Sequence, residues 1–252
     1  MKDKAYLTRE IIEKINKSAG ISFKTVNKES FEKIRSKALL LNLVQYSDND
    51  FLVINTYDSI KGEQLVVYSY KEICLGELKI VLGGMSHFEK TDFTSIDLHN
   101  VNTSEIRIAV SMFADCKAKS IDVSTIDTSN MVTMGYMFRG VQLSTTLDLS
   151  NFKTNKLIDM IGMFRDAKLK ELKLDKFDTS NVIDMHEMFR DAKISNLDLS
   201  MFNTENVEEM DYMFRNADIE YIDMSNFKIS SNTSTAHMFE GCKAYINRGE
   251  DT

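Results

Sequence analysis

The stretch "LKLDKFDTSNVIDMHEMF", residues 172–189, carries two patterns in succession. Leu172 and Leu174 alternate with polar neighbours, the period of a short strand with one buried face, and Phe177 turns inward after it. "DTSN" then offers side-chain oxygens suited to capping a helix start, and Val182, Met185, Met188 and Phe189 follow at spacings of three, three and one. The expectation is one short strand followed by one short helix with a single apolar stripe.

The same pattern returns in "LDLSMFNTENVEEMDYMF", residues 197–214, where His186 is replaced by Asp211 while the Met-Phe pair stays. The pairs fall at 112–113, 137–138, 163–164, 188–189, 213–214 and 238–239, a period of about 25 residues with a single extra position, located between Phe138 and Leu147. A second landmark starts at Ile96, Ile121, Leu147, Leu172, Leu197 and Ile222 with the same spacings. Two motifs sharing one insertion rule out coincidence, so six repeats occupy residues 96 to about 246. A coil of this length cannot bury its apolar face alone and must stack on its neighbours. The expected fold is an α/β solenoid, right-handed, with a parallel sheet on one side and helical turns on the other. At about 4.8 Å per coil, six coils would extend about 29 Å.

Columns across the repeats agree with stacking. Val101, Ile126, Phe152, Phe177, Phe202 and Phe227 follow each strand, and Cys116, Val141, Ala167, Ala192, Ala217 and Cys242 form a small-residue column. Methionine adapts to slightly different neighbours, so Met134, Met160, Met185 and Met210 belong to the core. The three cysteines, Cys74, Cys116 and Cys242, are too scattered for a disulfide framework or a zinc site and are expected as small buried hydrophobes. "KISSNTSTAHMF" places Asn232 and Thr235 at apolar positions of earlier coils, which marks a cap facing water. Phe88 lies one period ahead of Phe113, so residues 84–95 form a half-repeat that begins the stack. The solenoid thus spans 84–246, with a tail at 247–252.

Residues 1–83 lie outside the repeat and are expected as a small α+β capping domain. "TREIIEKINKSAG" and "NKESFEKIRSKALLLNLVQ" show helical periodicity with caps at Thr8 and Asn27, whereas "DFLVINTY", "EQLVVYSY" and "ELKIVLGG" predict strands.

"LDLSNF" together with "DTSNVIDMHEMF" resembles the BspA-like leucine-rich-repeat family of bacteria, whose repeats read approximately LDLSNFDTSNVTDMSYMF. The likeness covers residues 96–246. It implies a leucine-rich-repeat solenoid used for binding proteins or surfaces, with no catalytic residues of its own. Many relatives are secreted or tethered to the cell surface. This sequence shows no secretory signal and no run long enough for a membrane span, so a cytoplasmic setting is expected.

No constellation of base, nucleophile and orienting group appears, and HExxH, P-loop, GxSxG and GxGxxG patterns are missing from the sequence. An enzyme is not expected, nor a cofactor or a metal. His186 aligns with Val110, Gly135, Ile161, Asp211 and Ala236, and His87, His99 and His237 are isolated in sequence. Two outward columns are more informative. Asp97, Asp122, Asp148, Asp198 and Asp223, interrupted by Lys173, predict a strand-face strip of carboxylates, either hydrogen-bonded to the serines two residues on or presented to a basic partner. Arg139, Arg165, Arg190 and Arg215 follow the Met-Phe pairs, either as a ladder neutralised by neighbours such as Asp166 and Asp191 or as a row gripping a partner's carboxylates or phosphates.

The net charge of −7 divides into +2 for residues 1–83 and −9 for 84–252, which argues against direct contact with nucleic acid. Absence of proline and tryptophan with abundant Lys, Asn and Ile fits an AT-rich bacterial or phage genome. The expected function is a non-enzymatic protein-binding module acting through its solenoid surface on another protein with a basic surface. Two alternatives are a phage or mobile-element inhibitor that blocks the nucleic-acid groove of a host defence nuclease, and a surface adhesin without its leader.

Overall fold

In a computed structural model of the chain, which describes residues 3–15, 19–41, 43–58, 62–74, 88–195 and 197–249, the phenylalanines of the Met-Phe pairs form one column. Phe88, Phe113, Phe138, Phe164, Phe189, Phe214 and Phe239 stack ring on ring, with centroids 5.3–5.9 Å apart and planes within 10°. Phe88 therefore opens the stack, as its spacing predicts. Phe152 stacks on Phe177, and Phe202 on Phe227. The methionine columns are buried among them.

The backbone repeats in the same register. Short strands at Gln142–Leu143, Lys168–Leu169, Lys193–Ile194 and Asp218–Ile219 pair in parallel in that order. Leu147–Asp148 pairs with Leu172–Lys173, and a line of single parallel bridges runs Ile108, Thr133, Asp159, Asp184, Glu209, Ser234.

One sequence expectation is corrected here. Among the described residues of the repeats no α-helix forms at the Met-Phe segments; they are chains of turns. Alternate amides close four-residue turns, Met163 N–H to Met160 O and Arg165 N–H to Gly162 O. The intervening ones cross to the next coil, Gly162 to His186 O, Phe164 to Met188 O and Asp166 to Arg190 O. An α-helix would keep every such bond internal; here half of them join the coils. The arrangement requires two left-handed residues per coil. One column is Asp115, Gly140, Asp166, Asp191, Asn216 and Gly241, types that tolerate positive φ.

"DTSN" likewise does not cap a helix. Thr103, Thr128, Thr154, Thr179 and Thr204 are buried and bridge coils: Thr154 Oγ1 donates to Asp178 O at 2.9 Å and accepts the Asp178 amide at 2.8 Å.

The N-terminal segment joins this stack without a break in the core. Its elements are β1 (Lys4–Tyr6), α1 (Arg9–Ile15), β2 (Gly20–Thr25), α2 (Lys28–Leu40), β3 (Val44–Ser47), β4 (Leu52–Asp58), β5 (Gly62–Ser69) and β6 (Glu72–Cys74). The first repeats add β7 (Ser95–Asp97), β8 (Val101–Asn102) and β9 (Ser120–Asp122). A six-stranded sheet runs β3-β4-β5-β2-β7-β9, and β1-β6-β8 form a second. Parallel pairing of β2 with β7 continues the repeats' strand face into the N-terminal segment. One buried cluster extends from Ala5 through Phe23 to Met238. A smaller one packs Phe31 and Ala38 of α2 against Leu52, Ile54 and Val66 on the other face of the sheet.

Asn27 caps α2, its Oδ1 accepting the Ser30 amide at 2.8 Å, and Thr8 Oγ1 accepts the Ile11 amide at 3.3 Å at the start of α1. α1 is shorter than expected, because Gly20 already belongs to β2. The strand expected over "ELKIVLGG", His87 and the boundary at 83/84 lie outside the described residues, as does the Cys74 side chain. Cys116 is buried and Cys242 half-buried, a correction for the latter; both are free. No helix among the described residues is long and apolar enough to cross a membrane.

Candidate functional site

The two charged columns occupy different faces and are treated differently by the fold. On the strand face, Asp97 lies in register with Asp122, and Asp148 with Lys173. In five repeats one aspartate oxygen accepts the amide two residues on: His99 at 2.9 Å, Ser124 and Ser150 at 3.0 Å, Ser200 at 2.8 Å and Ser225 at 2.9 Å. The Ser150 hydroxyl and amide hold the Asp148 carboxyl below the usual carboxylate range, and the Ser225 amide and hydroxyl do the same for Asp223. Among the described residues, no lysine or arginine lies within ion-pair distance of Asp148, Asp198 or Asp223. The strip is hydrogen-bonded on one side and presented on the other.

At its N-terminal end the strip runs into a groove of about 730 Å³ where β2 and β5 meet β7 and β9, lined by Lys24, Gln64, Ser95, Asp97, Ser120 and Asp122. His99, isolated in sequence, is not isolated in space: Nδ1 lies 2.8 Å from Asp97 and 3.6 Å from Asp122. These three side chains could each offer one ligand atom to a metal ion, the atoms lying within 4.8 Å of one another. The imidazole already serves the carboxylates there.

These repeats coincide with the reach of a known family. A model described as "Mycoplasma protein of unknown function, DUF285" matches residues 84–171 and again 141–251. The chain belongs to this family. No curated protein and no solved structure matches it. The two overlapping matches cover the repeats and leave the N-terminal segment outside.

On the turn face of the DUF285 part, each arginine is engaged. Arg139 pairs with Asp115 of the preceding coil, Arg165 with Glu187 of the next, Arg190 with Glu187 and Asp191, and Arg215 with Glu240. Glu187 is only 6% exposed, and two guanidiniums meet its carboxylate. Arg190 and Arg215 also lie over the Tyr212 ring, and Arg139 over Tyr136. This is the neutralised ladder of the two sequence readings.

Sequence reasoning missed a third column, Asp159, Asp184 and Glu209, aligned by the single bridges between Thr133 and Ser234. Burial pushes the Asp184 carboxyl above its ordinary range, assisted by Asp159 and Asp211 and opposed by the His186 amide. The signal is legible as the acidic residue before Met160, Met185 and Met210. His186 is half-buried, its ring edge-on to Tyr212. His237, also isolated in sequence, stacks on Tyr212 and pairs with Glu240 at 3.1 Å.

Proposed function

We propose that this chain is a non-enzymatic protein-binding module, a right-handed solenoid of the BspA-like leucine-rich-repeat kind, which presents its strand face to a basic partner protein. The observation that carries the reading is the asymmetry between the two charged columns. Arg139, Arg165, Arg190 and Arg215 are paired with carboxylates of their own chain. Asp148, Asp198 and Asp223 hold their charge outward with no cation of the described residues in ion-pair reach. An unneutralised, regularly spaced row favours encounter with the opposite charge and repels phosphate backbones. Lys173 divides the row and would set its register on a partner.

The expected partner comes out of affinity capture from the native host. The triple variant Asp148→Lys, Asp198→Lys, Asp223→Lys should lose that partner while remaining folded at the temperature of the capture, its melting temperature lowered by the three lost amide bonds. Arg165→Glu, Arg190→Glu, Arg215→Glu should instead lower the melting temperature, because it leaves Glu187 buried against new negative charge. Unchanged capture by the aspartate variant rejects the strand face. A captured nuclease would place the chain among inhibitors and an external matrix protein among adhesins, while recovery in the cytoplasmic fraction accompanies the cytoplasmic setting expected above.

A further inference from the structure

In every coil but the last, a row of backbone amides donates to the carbonyls of the following coil. The final instance is Met210 to Ser234 O, Tyr212 to Ala236 O, Phe214 to Met238 O and Asn216 to Glu240 O. The same amides one repeat later belong to Thr235, His237, Phe239 and Gly241, and they find no acceptor among the described residues. His237 and Gly241 are left-handed, with φ of 56° and 69°, and the unpaired N–H groups are alternate ones, those of Ala236, Met238 and Glu240 between them donating to Asp211, Thr235 and His237. Such a row of unpaired amides carries positive partial charge and favours anions.

The side chains at that end are consistent with this. Thr235, His237, Phe239, Glu240 and Arg248 line a depression of about 400 Å³. The Arg248 guanidinium lies over the outer face of the Phe239 ring, 5.3 Å from its centroid, with no carboxylate of the described residues in ion-pair reach. Among the described residues Glu240 is the one acid of the rim, and Arg215 at 3.2 Å and His237 at 3.1 Å already engage its carboxylate.

The opposite end shows how this chain treats such an edge. There the exposed groups are carbonyls, and the Arg9 guanidinium of α1 donates to Glu89 O at 2.8 Å, in the column that continues as Ala114, Arg139 and Arg165. A cation covers the acceptor edge. By the same logic an anion suits the donor edge. A second copy placed open end against open end would set donors against donors, head-to-tail stacking meets an acceptor edge on which Arg9 of α1 already donates to Glu89 O, and an ordinary strand alternates donors with acceptors.

We propose that the open end of the repeats binds an oxyanion, a phosphate or carboxylate group, on the amides of Thr235, His237, Phe239 and Gly241 beside Arg248. The test is titration of the full ¹⁵N-labelled chain with inorganic phosphate and, separately, with acetate, at ionic strength held constant with chloride. Saturable shifts confined to those four amides and their neighbours are expected, and R248A should weaken them about tenfold, the loss of one charge-assisted bond. Saturation by phosphate alone identifies a phosphate group, and saturation by both a general oxyanion site. The proposal is overturned if neither anion saturates, if chloride shifts the same amides equally, if the shifts follow protein concentration instead, or if R248A binds as the parent does.

Discussion

At position 162 the left-handed column that otherwise holds Ser111, Tyr136, Glu187, Tyr212 and His237 carries a glycine. Positive φ alone does not demand it, since five larger residues adopt the same conformation. The demand comes from the coil before: a Cβ on Gly162 would stand 2.3 Å from the Tyr136 ring. Gly162→Ala should therefore cost about 1–3 kcal/mol in denaturant unfolding. In a Tyr136→Ala background the penalty should fall to the conformational part, about 1 kcal/mol. An equal penalty in both backgrounds would remove the ring as its cause. Residues of this kind mark the limit of what the sequence discloses. Buried methionines and phenylalanines repeat because the core demands it, so the period was legible from side chains alone. The second left-handed column was legible too, as Asp, Gly, Asp, Asp, Asn and Gly from 115 to 241. The first was not, because serine, tyrosine and glutamate, which fill most of it, give no hint of positive φ.

Among elements, the threonine rungs show chemistry read correctly and placed wrongly. The threonine oxygen of "DTSN" does satisfy a backbone amide, but one of the next coil instead of a helix start. A side-chain oxygen suits both tasks, and nothing local to four residues separates them. Thr154→Val keeps the shape while orphaning the amide and carbonyl of Asp178, so a loss of about 2–3 kcal/mol is expected from the denaturation midpoint. Thr154→Ser should recover most of it. The acids of the same coils respond to pH with opposite signs. Asp178 is held low by the hydroxyl and amide of Ser180, so its contribution exists above the ordinary carboxylate range and is lost as pH falls through its depressed pKa. Asp184 is raised by burial, so its ionised form opposes folding at neutral pH and that opposition fades as pH falls. At pH 7 Asp178→Asn should lower the melting temperature and Asp184→Asn should raise it. Both differences should shrink below about pH 4. Equal signs for the two variants at pH 7 would contradict this assignment.

For the whole molecule, the question is whether the N-terminal segment folds as a unit of its own or as the first layer of the stack. The sequence suggests a separate cap, because the repeat motif stops at residue 84 and helical periodicity runs on through Gly20. "GISFKT" nevertheless alternates Ile21 and Phe23 with Ser22 and Lys24, the pattern of the strand that became β2. That strand pairs with β5 on one side and β7 on the other, and Phe23, 2% exposed, belongs to the same buried cluster as Phe113 and Phe214. A core without a seam predicts one cooperative transition. Phe23→Ala should cost about 3–5 kcal/mol, and the cost should be felt far from the substitution. In amide exchange under conditions of global opening, protection at Phe113, Phe164 and Phe214 should fall together with that of Val53 and Val67. If only the residues before 74 lose protection, the segment is an independent cap, and coupling in this stack decays from coil to coil as in a one-dimensional array.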